Sequence, residues 1–234
     1  MKLYLKIFKR EKVLYSFIFI VLLFILFISR YARKKYSIVS FYHMQFQTFY
    51  YILVYTPIFL YINTNIYELM YKHRIMLRYS SISDWWKKVT KISILLSFFY
   101  PLILNIIYIA VFSIISQNIL YSVNIFVYFT ITVIMQFVYY LIICTISNMI
   151  TYLCNLKFAS IAIISSVLLI YDSARLSLNL NVPNMEKILV LPYKTNLIQY
   201  KLFFVLMFLM LVLERILMIL SHLMLENKNI YWSE

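Results

Sequence analysis

A chain of 234 residues that is 64% hydrophobic and only 13% charged, with a mean hydropathy of +0.85, lies outside the composition of water-soluble domains, and a soluble fold is excluded. The net charge of +14 sits in clusters between apolar runs rather than along one face. Membrane topology and anionic lipid account for it, and no nucleic-acid partner is expected.

The absence of glycine removes the P-loop, the dinucleotide fingerprint and the nucleophile elbow together, because each needs glycine where the backbone closes on its ligand. No enzyme activity is expected of this chain, and any nucleotide energy has to come from another subunit.

A spanning helix takes roughly 20 mostly apolar residues, and the sequence suggests an all-α integral membrane protein with six spans in one domain. Residues 1–12 alternate Lys2, Lys6, Lys9, Arg10 and Lys12 with Leu3, Leu5, Ile7 and Phe8. That pattern suits a basic interfacial helix or a solvated topogenic tail. Segment one covers about Val13–Ser29, and Arg30, Tyr31, Ala32 and Arg33 behind it offer no cleavage site, so it is expected to remain as an anchor. Segment two, about Gln47–Ile62, contains Pro57, which a membrane bundle tolerates when neighbours satisfy the freed carbonyl.

Residues 63–91 form the longest strongly charged region and are expected to be cytoplasmic. Glu68–Ile75 has the pattern of a short amphipathic helix. Ser83 or Asp84 is placed to cap the next helix, which opens on Trp85 and Trp86 and passes Lys87, Lys88 and Lys91. Trp followed by Lys is a membrane-interface anchoring pattern.

Segment three, about Ile92–Ser116 with Pro101 inside, and segment four, about Val123–Leu153, form a hairpin around the uncharged turn at 117–122. Segment five is short, about Phe158–Tyr171. The polar stretch 172–201, with Pro183 and Pro192, is expected to hold short extracellular helices before segment six, about Leu202–Leu225. The larger share of Lys and Arg falls on the side of the N-terminus, which puts both termini in the cytoplasm.

Without glycine, close helix approach has to use Ser, Ala, Cys and Thr, and Cys144 with Asn148 and Ala162 with Ser166 have the four-residue spacing this needs. Cys144 and Cys154 lack metal-ligand spacing and read as packing residues. His43, His73 and His222 fall in three regions, so no metal site is expected. The 23 tyrosines and 19 phenylalanines suit interface belts, or a pathway for an amphipathic substrate.

Ionisable residues at membrane depth are costly and are functional suspects by default. Glu214 and Arg215 lie inside segment six and, as neighbours, point in different directions. Arg215 can snorkel to the headgroups while Glu214 seeks a partner on another helix or subunit, either for structural pairing or on a substrate path. Asp172 and Arg175, three apart, can pair on one helical face or be solvated at the interface.

With these residues in view, the chain resembles the permease subunit of ABC exporters with six spans per subunit and a cytoplasmic coupling helix between spans two and three. Glu68, Arg74, Arg78, the Ser80–Asp84 break, Lys88 and Lys91 stand where that family has its acidic residue, basic residue, break and Lys. The family often has a Pro in the break, and this chain has none.

The resemblance implies ATPase coupling through Glu68, Tyr71, His73, Arg74, Arg78, Asp84 and Lys88. It also implies a cytoplasmic ATPase that holds ATP and Mg, with no cofactor on this chain, and a second permease copy or a sister permease. Similarity to small permeases of Gram-positive bacteria implies the plasma membrane as location. Their substrates imply a hydrophobic or amphipathic peptide of the bacteriocin, lantibiotic or phenol-soluble modulin type. The alternative is a non-transporting membrane immunity or sensor protein that binds a toxic peptide. A membrane-embedded hydrolase would need clustered His, Glu or Asp on facing helices, and the sequence shows no such cluster.

Overall fold

The computed structural model describes Phe19 and residues 51–71, 79, 81–116, 123–154, 156, 158–178 and 200–228. The N-terminal tail, segment one apart from Phe19, and most of the 172–201 stretch lie outside them, as do His43, His73, Arg74 and Arg78.

Among the described residues the regular structure is entirely helical: α1 (Thr56–Tyr71, entered through a π-helical turn at Tyr51–Tyr55), α2 (Ile82–Ser116), α3 (Val123–Cys154), α4 (Ala159–Ser177) and α5 (Tyr200–Lys228). Three stretches are long and apolar enough to cross a membrane: Ile82–Ala110, Phe129–Cys154 and Phe204–Met224. The chain is a helical membrane protein.

The helix boundaries depart from the sequence reading in three places, each for a local reason. Segment two was expected to stop at Ile62, before the polar run Asn63, Thr64 and Asn65, but α1 continues to Tyr71. Thr64 Oγ1 and Asn65 Nδ2 both donate to the Tyr61 carbonyl, at 3.1 and 2.7 Å, so their polar groups are satisfied within the helix. Residues Glu68–Tyr71 are therefore the last turn of α1 rather than the start of a separate helix.

The start of α2 is capped by Ser81, not by Ser83 or Asp84. Ser81 Oγ accepts the Asp84 N–H at 3.1 Å, and its carbonyl accepts the Trp85 N–H at 3.2 Å. Asp84 then sits in the first turn, where its charge complements the helix N-terminus. It also pairs with Lys87 at 3.3 Å on the exposed face. Finally, α4 runs past Tyr171 to Ser177, taking Asp172 and Arg175 into the helix.

Helix α3 is the centre of the bundle and packs against each of the other four. Its most apolar window is 67% buried, against 50% in α2 and 11% in α5. Helices α1 and α3 run in the same direction, and α2 opposes both. This follows from the pairings of Tyr55 with Tyr100, Met70 with Trp85, Asn63 with Asn148, and Asn148 with Ser93.

Along this three-helix core the packing falls into layers. Tyr51, Phe59, Tyr100, Tyr139 and Tyr140 form an aromatic knot, with ring centroids 4.6–5.8 Å apart in the contacts that link them. A second aromatic group, Tyr67, Tyr71, Trp85, Trp86 and Tyr152, closes the end where α1 finishes and α2 begins. Between the two lies a layer of polar side chains.

Candidate functional site

The polar layer is built from one face of each core helix. Asn63 on α1 donates through Nδ2 to Asn148 Oδ1 at 2.9 Å and to Ser147 Oγ at 3.4 Å, both on α3. Its Oδ1 accepts the Cys144 thiol at 3.0 Å. Asn148 in turn donates to Ser93 Oγ on α2 at 2.8 Å. These side chains are buried, so the three helices are joined by donors and acceptors shielded from bulk solvent. The spacing Cys144, Ser147, Asn148, Thr151 carries the pattern along α3. Thr151 donates to the Ser147 carbonyl at 2.8 Å, and its Oγ1 lies 3.1 Å from Ser160 Oγ on α4, whose hydroxyl it can accept.

The four-residue pair Cys144 and Asn148 thus meets Asn63 through hydrogen bonds as well as close approach. Ala162 and Ser166 lie on the exposed face of α4. Asn63, Ser93, Thr145 and Ser147 were not singled out by sequence reasoning. The signal available was the polar stripe at three- and four-residue steps through segment four.

Among the described residues, Glu214 is the acidic side chain buried deepest in the bundle. It is 4% exposed, and Oε1 lies 3.0 Å from Thr145 Oγ1 on α3. Its Oε2 is buried without a hydrogen-bond partner. Arg215 faces outward and is exposed, as expected of adjacent residues about 100° apart on a helix of 3.6 residues per turn. Asp172 and Arg175 do pair: Arg175 Nε and Nη2 both donate to Asp172 Oδ1, at 3.1 and 2.9 Å, with both side chains largely buried.

At the α1–α2 corner the two indoles point inward. Trp85 is 1% exposed and donates through Nε1 to the Met70 carbonyl at 2.9 Å, tying the last turn of α1 to the first turns of α2. Trp86 is 7% exposed and reaches Ser221 Oγ on α5 at 3.3 Å. The residues expected as interface anchors therefore fasten three helices to one another. Around them Glu68 and Lys87 are exposed, and Tyr71, Asp84 and Lys88 are half-buried. Two small cavities flank the Asn148–Ser93 hydrogen bond: one lies between α1, α2 and α3, and the other between α2, α3 and α5. Among the described residues no three His, Cys, Asp or Glu side chains gather as a metal site would require.

The chain matches no protein-family model, no curated protein and no solved structure.

Proposed function

We propose that this protein is the six-span membrane subunit of an ATP-driven exporter of the ABC type, with both termini in the cytoplasm of a Gram-positive cell. It is driven by a separate cytoplasmic ATPase and works as a dimer with a second permease. The cargo that fits is a hydrophobic or amphipathic peptide, removed from the membrane itself.

The observation that carries this reading is the α1–α2 corner. Its mixed charges, Glu68, Asp84, Lys87 and Lys88, surround a hydrogen-bonded indole tie. Two unbroken helices lead from that tie to the polar layer, through Asn63 on one side and Ser93 on the other. A push on the corner is delivered as rigid motion to the layer where the core helices are joined, which is what a coupling element has to do.

The test is purification of the full chain from its native membrane, followed by an ATPase assay and identification of what accompanies it. A stoichiometric ATPase is expected. Replacing Glu68 and Arg74 together by Ala is expected to release it while membrane insertion is unchanged. A chain that purifies alone, or association that survives the double change, would overturn the coupling assignment and favour a binding or immunity role.

A further inference from the structure

Hydrogen counting at Glu214 poses a problem that the exporter reading does not address. The Thr145 hydroxyl has one proton, yet it lies 3.0 Å from two acceptors, the Leu141 carbonyl and Glu214 Oε1. If Glu214 were ionised, one of these contacts would be acceptor against acceptor, and the buried Oε2 would be a second unpaired charge-bearing atom. An uncompensated carboxylate in an apolar bundle is strongly disfavoured.

A proton on Glu214 resolves the count. The acid donates to Thr145 Oγ1, Thr145 donates to the Leu141 carbonyl, and Oε2 is left as an uncharged carbonyl oxygen.

Among the described residues, the charges that would otherwise compensate Glu214 are placed elsewhere. On its own helix, Arg215 and His222 are exposed. Helix α3 contains no acidic or basic residue, and its Cys144 thiol is engaged with Asn63. The charges of α2, Asp84, Lys87, Lys88 and Lys91, all lie in its first ten residues, toward the corner; its remaining titratable groups are phenols, as are those of α3 apart from its thiols.

From Thr145 toward that corner runs the cavity between α2, α3 and α5, lined by Thr90, Ser93, Asn148, Ser221 and the Trp86 ring. The cavity, about 10 Å³, has room for one water, and its polar lining offers the two to four partners that a water needs.

We infer that Glu214 is an exchangeable proton site, served by the hydroxyl-lined cavity that leads from Thr145 to the Trp86–Ser221 contact. In the exchange, the O–H bond of the acid breaks and its proton passes to water in the cavity. The Thr145 hydroxyl then turns from the Leu141 carbonyl to the carboxylate, and return of the proton reverses both steps. The site stands on the packing of α5 against α3 and holds whether or not an ATPase drives the chain.

The experiment uses the full chain in phospholipid vesicles and a hydrophobic carbodiimide, a reagent that adds to protonated carboxyls in apolar surroundings, with the modified residue located by peptide mass. Glu214 is expected to be modified in the wild type, several-fold more at acidic than at alkaline pH. Infrared spectra of the same vesicles are expected to show a carboxylic-acid band that moves on deuterium exchange, is absent in Glu214→Gln and shifts in Thr145→Val. An unmodified Glu214, or an acid band unchanged in Glu214→Gln, would overturn the proposal. So would protection of Glu214 by sodium at fixed pH, which would make it a metal-cation site instead. The labelling arm needs no variant, so a misfolded mutant leaves the test intact.

Discussion

Helices α3 and α5 are both apolar enough to span a membrane, yet they are used in opposite ways. Most of α3 faces other helices and carries its polar residues inward, where Asn148, Ser147 and Thr151 are all hydrogen-bonded. Most of α5 is exposed, with Phe204, Phe208, Leu209 and Ile219 more than half uncovered, and it is held through Glu214 and Ser221. In hydrocarbon, burying one apolar side chain against another gains little over leaving it in lipid. Polar contacts and close packing therefore decide which helices join a membrane bundle, and overall hydrophobicity does not.

The largest effect that sharpens this contrast is expected from Trp85→Ala. It removes a fully buried ring and the tie to Met70 at once, a loss of about 3–5 kcal/mol, readable as a fall in the unfolding midpoint in detergent. Asn148→Ala removes the bonds to Asn63 and Ser93 together and is expected to cost about 2–4 kcal/mol, since membrane hydrogen bonds average roughly 0.6 kcal/mol each and an orphaned buried polar group adds about 1–3 kcal/mol. The smallest effect is expected from Phe208→Ala, under about 0.5 kcal/mol in lipid, where tails replace the ring. A loss of 2 kcal/mol or more at Phe208 in vesicles, of the size expected at Asn148, would break the contrast and mean that this face of α5 is packed against protein.

The helical class and the course of segments three, four and six were legible from apolar runs alone, because a run of that length has few other uses. The hairpin partners α2 and α3 begin or end within a residue or two of expectation at Ser116, Val123 and Cys154. The end of α1 was not legible. Asn63, Thr64 and Asn65 look like the edge of a span until their partners at Tyr61, Ser147 and Asn148 are known, and two of those lie more than 80 positions away. Trp85 and Trp86 misled in a similar way, since a tryptophan beside lysines carries the same pattern whether its ring meets headgroups or a Met70 carbonyl. The outward turn of Arg215 needed only helical geometry, whereas for Asp172 and Arg175 the sequence left pairing and interface solvation both open, and they pair. The depth of Glu214 along segment six was visible in the sequence, but its contact with Thr145 was not.

The bond from Trp86 to Ser221 joins positions 135 residues apart, and this has a consequence for how the protein is made. At a synthesis rate of roughly 5–20 residues per second, the indole waits on the order of ten seconds for the serine that will receive it. Thr145 waits in the same way for Glu214, 69 residues later. Until α5 enters the membrane, the polar side of α2 and α3 that lines the hydroxyl cavity lacks its α5 partners. Of the described helices, the one translated last is the one that seals it, so nascent chains halted before Tyr200 should be natural clients for membrane chaperones and quality-control proteases.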